Sequence, residues 1–194
     1  TLWGPVLKQN HRGQWMAFRW DAHDLEGANM NLIGMESVTS ISEALPLAST
    51  FGTPAQNFVG GDDQGNIGWT VAGRIPNRKG FDGSYWKSWV SGEYGWQGYL
   101  SFEDYPQVYN PENHRIWTAN ARTMSGDYLR LVGDASNYAL GARQQQIRDA
   151  LLAKDKFTEQ DLLDIQLDDR ALFLTPWHQH LTALIEENTQ PVMH

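Results

Sequence analysis

The amino-acid sequence predicts an α+β fold. Strand and hairpin signals fill residues 1–120, helical spacing fills residues 134–188, and the two kinds of segment do not alternate as a βαβ protein requires. A length of 194 residues suits one core, and residues 1–194 are read as a single partial domain, strand-rich first and helix-rich after.

Pro5–Lys8 and Gln14–Trp20 read as two short strands around the turn-prone QNHRG. In the second, Trp15, Ala17 and Arg19 share one side, and Met16, Phe18 and Trp20 the other. Ser37–Ser49 reads as a helix, because Val38, Ile41, Leu45 and Ala48 fall on one face; Pro46 is expected to end or kink it. Gln56–Gly61 and Ile67–Ile75 make a hairpin across DDQGN, whose residues tolerate left-handed backbone and so allow a sharp return. Pro76 to Pro111 has little periodicity and many glycines, and is expected to be a long irregular segment carrying Trp86, Trp89 and Trp96. Arg115–Ala119 returns to strand. Ser136 is placed to cap a helix with Leu140, Ile147 and Leu151 as its apolar stripe. Thr158 to Asp161 resembles a capping box opening a helix through about Phe173, and Thr175-Pro176 reads as an N-cap with proline at the first position of a last helix to about Glu187.

Composition narrows the function. A hydrophobic share of 41% with 20% charged residues is globular rather than disordered. The net charge is −8 and no basic run occurs, which argues against a nucleic-acid partner. The absence of cysteine removes disulfides, thiolate nucleophiles and cysteine-bound zinc. No apolar stretch is long enough to span a bilayer and no signal peptide is present, so no membrane partner is expected. The chain opens at Thr1, without an initiator Met and inside a strand-like run, and is read as a processed chain or an excised piece.

Each candidate chemical group has an ordinary explanation beside a functional one. The glycine hairpin matches no phosphate-binding motif and leads into another strand, so it reads as structural. His178 and His180 sit two apart; on a helix they diverge by about 200° and cannot share a metal. Asp161, Asp164 and Asp168 fall on one helical face, which reads as a solvated acidic surface. Asn120 ends a strand-like run: a turn-forming asparagine is the simpler reading, and an amide donating to a developing oxyanion is the functional one. Arg143 lies at the edge of its helix's apolar stripe, where it could snorkel, pair with an acid, or orient a site residue with its planar fork. Thr1 would be a candidate nucleophile at a mature N-terminus. Trp86, Trp89 and Trp96 would suit an aromatic-rich glycan- or peptide-binding module.

In order along the chain, "GPVL", "FRW", "AQNFVGGDDQGNIGWTVAGRIPNR", "GWQGYLSFEDYPQVYNPENHRIWTANAR", "LGARQQQIRDALL" and "FTEQDLLDIQLDD" resemble the penicillin amidase (penicillin acylase) family of N-terminal-nucleophile hydrolases. The resemblance runs from Gly4 to about Leu184 and implies part of an αββα sandwich. It further implies a precursor that cleaves itself to expose a serine at the start of a β subunit, in a Ser-Asn-x-Trp type motif. That serine attacks a linear N-acyl amide, such as a penicillin side chain or an acyl-homoserine lactone, with its own α-amine as base through water. By the motif match, Asn120 corresponds to the oxyanion-hole asparagine and Arg143 to the arginine that positions it. Ala121 follows Asn120 where many relatives carry a second asparagine, and Trp3 stands where they often carry histidine.

No Ser-Asn-x-Trp stretch occurs in the chain, so Thr1 is not the nucleophile on this reading and the piece alone is expected to be inactive. The implied partners are an α subunit, the rest of the β subunit and a small N-acyl amide substrate, in the periplasm or outside the cell. The chemistry requires no cofactor. Structural calcium would belong to the intact enzyme, with Asp134 near one family ligand but without a clean match.

Overall fold

The computed structural model describes residues 1–133 and 138–188, and within them the chain divides into two compact units, Thr1–Ala139 and Leu140–His194. The fold is α+β, with antiparallel sheets in the first unit and helices in the second.

At the centre of the first unit is the hairpin of β3 (Gln56–Gly61) and β4 (Ile67–Ala72), in register from Gln56↔Ala72 to Gly61↔Ile67. Its turn is built by Asp62, whose carboxylate accepts from the backbone N–H groups of Gln64 (3.1 Å) and Asn66 (2.9 Å) and from the Asn66 amide. The same carboxylate accepts from Ile41 N–H at 3.2 Å, tying the turn to helix α1 (Ile41–Ala48). Desolvation opposes the charge on Asp62, but these hydrogen bonds outweigh it and hold the carboxyl below its ordinary value.

Helix α1 lies on this hairpin through a glycine pair. Gly60 and Gly68 face each other across the strands. A Cβ on Gly60 would come within 2.6 Å of Ile41 Cδ1, and one on Gly68 within 2.9 Å of Ile41 Cγ1 and 3.0 Å of Leu45 Cδ1. The two glycines thereby admit the side chains of a helix directly against the strand backbone.

The helix begins at Ile41, four residues later than the sequence pattern indicates, because Ser40 is its N-cap and accepts from Glu43 N–H. Asn31–Ser37 forms a 3-10 helix instead. Pro46 does not end α1; the helix continues to Ala48, whose burial with Leu45 holds the last turn despite the missing N–H.

Three strands occupy the stretch expected to be irregular. β5 (Pro76–Lys79) pairs antiparallel with β6 (Gly95–Tyr99), and β7 (Gln107–Tyr109) pairs with the free edge of β4. Polar PNRK and glycine-bearing GWQGY lack alternation, so periodicity could not reveal them. β4 is thereby central and buried on both faces. One side meets α1; the other meets a core of Trp69, Val71, Ile75 and Tyr105, with Leu100, Phe102 and Ile116 against it. The Tyr105 hydroxyl, fully buried, accepts from Ile75 N–H at 2.9 Å and reaches Gly73 O at 3.1 Å and Ser49 O at 3.3 Å as donor.

The first strand, β1 (Val6–Gln9), has the expected length one residue further on, the second, β2 (Trp15–Ala17), is shorter than expected, and the two pair with each other. Helix α2 (Gly126–Val132) has no clear sequence signal; its last carbonyls accept from Arg78, at 2.9 Å from Leu131 O and 3.4 Å from Val132 O. Arg115–Ala119, expected as a strand, is not one: among the described residues no backbone ladder includes it.

In the second unit α3 (Ala142–Leu152) starts after Leu140, so that residue is not part of its stripe; Ser136, the expected cap, lies outside the described residues. The Thr158 capping box is present in both directions and opens α4 (Glu159–Gln166). That helix stops before Phe173, because the Asp168 side chain accepts from Arg170 N–H and turns the chain away. Thr175 is helical rather than a cap, and α5 (Thr175–Asn188) continues from a 3-10 turn at Leu172–Leu174.

The Lys154 ammonium, then the Thr158 N–H and hydroxyl, hold the Asp161 carboxyl down at about 2. Because its folded value lies below the unfolded one of about 3.9, Asp161 stabilises α4 fully above that value, and the contribution is lost as pH falls through about 2. The expected result is an Asp161 carboxyl carbon that titrates by NMR near 2. A midpoint near the unfolded value would mean that the cap and ion pair do not hold in solution.

Candidate active site

Asn120 ends the TAN segment at a bend. The residue before it is fixed by a relay of side chains: Trp69 Nε1 donates to Asn57 Oδ1 at 2.8 Å, and Asn57 Nδ2 donates to Ala119 O at 3.0 Å. Trp69 is in the core and Asn57 on β3, so the hairpin reaches out to hold the segment where a strand ladder would otherwise stand. On the other side, Ala139 N–H donates to the carbonyl of Asn120 itself at 3.1 Å, and Ala121 is buried and bridged to Ala139. Asn120 therefore has its backbone pinned from both sides while the residue as a whole is exposed. That combination suits an amide that must meet a ligand without reorganising. The Asn57 relay escapes sequence reasoning; the QN pair of "AQNFVGG" was its one trace.

Arg143 belongs to the second unit, as the second residue of α3, and is exposed. The first turn of that helix contains no acidic residue. A cation at this end opposes the helix dipole, at about 0.3–1 kcal/mol.

The other candidates are absorbed by structure. His178 and His180 lie on α5 and diverge, and among the described residues no group of three or more His, Cys, Asp or Glu is placed to hold a metal ion. Asp134 lies outside the described residues. Asp161 serves the capping box, Asp164 accepts from Gln160 at 2.7 Å, and Asp168 accepts from Gln146 at 2.8 Å and from Arg170. Asp168 is thus held well below the usual carboxylate range, by Arg170 first and Gln146 second. Thr1 is engaged in its own turn, its hydroxyl donating to Gly4 O at 2.7 Å.

Trp89 and Trp96 pack on each other at 6.2 Å, Phe81 stands against Trp89, and Arg19 lies 4.9 Å over Trp96. Only Trp86 of the three stands exposed, so no flat aromatic platform is presented to a glycan. A depression of ≈ 410 Å³ lies between α1 and the hairpin, lined by Met35, Ile41, Phe58 and Asp62 among others; Asn120 is not part of it.

The penicillin amidase family model matches residues 1–192. The chain belongs to the penicillin amidase family. It is 28% identical over 137 residues to penicillin acylase 2 proenzyme of Pseudomonas sp. (strain SE83), covering 71% of this chain and 17% of that protein. It is 25% identical over 162 residues to acyl-homoserine lactone acylase QuiP of Pseudomonas aeruginosa, covering 84% of this chain and 19% of that protein. Among solved structures, a thermostable penicillin G acylase from Alcaligenes faecalis covers all of this chain and 35% of its own length, with a TM-score of 0.65 and 21% identity. The match meets the expectation of an N-terminal-nucleophile hydrolase fold. The chain spans less than a fifth of the length of these two curated penicillin amidase relatives.

Proposed function

We propose that residues 1–194 are one part of a larger amide-hydrolase domain of the penicillin amidase kind, which cleaves a linear N-acyl amide. The observation that carries the reading is Asn120: a family-motif residue whose backbone is fixed on both sides and which stays open to solvent. Relatives named for acting on penicillins and on acyl-homoserine lactones support the substrate class.

In the intact enzyme a serine hydroxyl, supplied by polypeptide outside this chain, adds to the amide carbon while its α-amine takes the proton through a water. The carbonyl oxygen becomes an oxyanion and accepts from the Asn120 side-chain N–H. Arg143 is the positioning residue for that donor. Collapse expels the amine, and water releases the acyl group from serine. Nucleophile, base and oxyanion donors are all polypeptide groups, so the reaction calls for no cofactor. The partners are the α subunit and the remaining β polypeptide of one precursor, exported from the cytoplasm. Among the described residues no helix is long and apolar enough to cross a membrane.

The test is to assay the 194-residue chain beside the longer polypeptide encoded in the same reading frame, with N-acyl amides of both classes. Hydrolysis by the longer protein only is expected. Turnover by the short chain, or none by either, overturns the reading.

A further inference from the structure

Two peptide planes meet at the Cα of Asn120, and each carries one bond. The plane before it presents Ala119 O, which accepts from Asn57 Nδ2 at 3.0 Å. The plane after it presents Asn120 O, which accepts from Ala139 N–H at 3.1 Å. Together they fix the direction in which the Asn120 side chain leaves the backbone. The second bond joins two backbone groups and has one possible sense. The first depends on a carboxamide, whose oxygen and nitrogen ends exchange places on a half-turn of the last side-chain torsion with no change of shape. Turned the other way, Asn57 would set its oxygen against Ala119 O, and the bond would become a repulsion.

Trp69 opposes that half-turn. Its indole N–H can only donate, and it donates to Asn57 Oδ1 at 2.8 Å. The turned amide would face donor with donor at one end and acceptor with acceptor at the other. Register brings the pair together: Trp69 lies opposite Val59 and Asn57 opposite Val71, so they are diagonal neighbours on one face of the hairpin. The indole is itself held, packed with Val71, Ile75 and Tyr105 and only 6% exposed. A buried indole N–H requires an acceptor and nothing more. The donor that Asn57 sends on to Ala119, 62 residues along the chain, exceeds what core packing asks for.

We propose that Trp69 is a positioning residue for amide hydrolysis: by fixing which end of the Asn57 amide faces Ala119, it keeps Asn120 aimed at the oxyanion. This rests on the reading of Asn120 as the oxyanion donor. The core reaches the site through one exposed side chain, that of Asn57.

The test uses the longer polypeptide encoded in the same reading frame. Asn57→Asp keeps the acceptor for Trp69 and sets a carboxylate oxygen against Ala119 O. At pH 8 kcat should fall about 10- to 100-fold, with KM nearly unchanged. Near pH about 4–5 the introduced carboxyl takes a proton and can donate again, so kcat relative to the unsubstituted protein at the same pH should rise toward one. A deficit that is equal at every pH, or no deficit, overturns the proposal. Trp69→Phe should lower kcat about 3- to 10-fold, the worth of one neutral hydrogen bond, and should add nothing once Asn57→Ala has removed the amide. A further fall of the same size in that background overturns it. If Trp69→Phe does not fold, the indole N–H resonances decide: one must move in Asn57→Ala, and none moving means that Trp69 does not bond Asn57 in solution. A longer protein that hydrolyses no amide ends the hydrolase reading by itself. Hydrogen exchange of the Ala139 N–H then judges the relay: faster exchange in Asn57→Ala supports it, and unchanged exchange overturns it.

Discussion

Gly73→Ala is expected to destabilise the folded chain by about 3 kcal/mol. Gly73 follows β4 with a φ of 89°, in the left-handed region where a Cβ is disfavoured by about 1–2 kcal/mol. Added to this is a collision with backbone: the Cβ would stand 2.4 Å from Thr53 O. Relief by moving Gly73 is blocked, since its N–H donates to Ala48 O at 3.0 Å and its carbonyl accepts from the buried Tyr105 hydroxyl. The comparison is Gly65→Ala in the hairpin turn. Gly65 has a similar φ of 83° but nothing within 4 Å of its Cβ position, so only the conformational part of the penalty applies. Urea denaturation of both variants separates the two contributions. Equal losses would mean that the approach of Thr53 to Gly73 does not constrain the fold.

This pair also indicates how much the sequence discloses. The DDQGN turn and its flanking strands are legible because the information is local: Asp62 bonds to residues two and four positions on. The same holds for the Thr158–Asp161 capping box, three residues apart. Gly73 falls inside the expected Ile67–Ile75 strand and carries no local sign of its role, because the atom that excludes a side chain there comes from Thr53. β5, β6 and β7 were hidden for a related reason: their partners are distant in the chain and their faces are not cleanly apolar. Arg115–Ala119 misled in the opposite direction, since its residues favour extended backbone but the neighbour that meets it is the Asn57 side chain rather than a strand. At the candidate site, Asn120 and Arg143 rest on motif resemblance; spacing alone favoured a turn for the first and decided nothing for the second. The pinning of Ala119 and Asn120 runs through Trp69, Asn57 and Ala139, contacts that no periodicity encodes.

In the intact enzyme, Asn120→Ala should lower kcat about 10²- to 10³-fold, or about 2.7–4 kcal/mol of lost transition-state stabilisation. In the proposed reaction the side-chain N–H serves the oxyanion, whose charge exists only after the serine has attacked, so the ground state loses little and KM should change far less than kcat. Truncation at the β-carbon leaves the backbone bond from Ala139 N–H and the Asn57 relay in place, so the segment stays held on both sides. Asn57→Ala makes the complementary test: it removes the donor to Ala119 O and the acceptor for Trp69 Nε1 while leaving the Asn120 amide present. A fall in kcat with Asn57→Ala, additive with nothing when combined with Asn120→Ala, would place both residues on one functional unit. If Asn120→Ala instead raises KM and leaves kcat intact, the asparagine binds substrate rather than its transition state, and the oxyanion assignment fails.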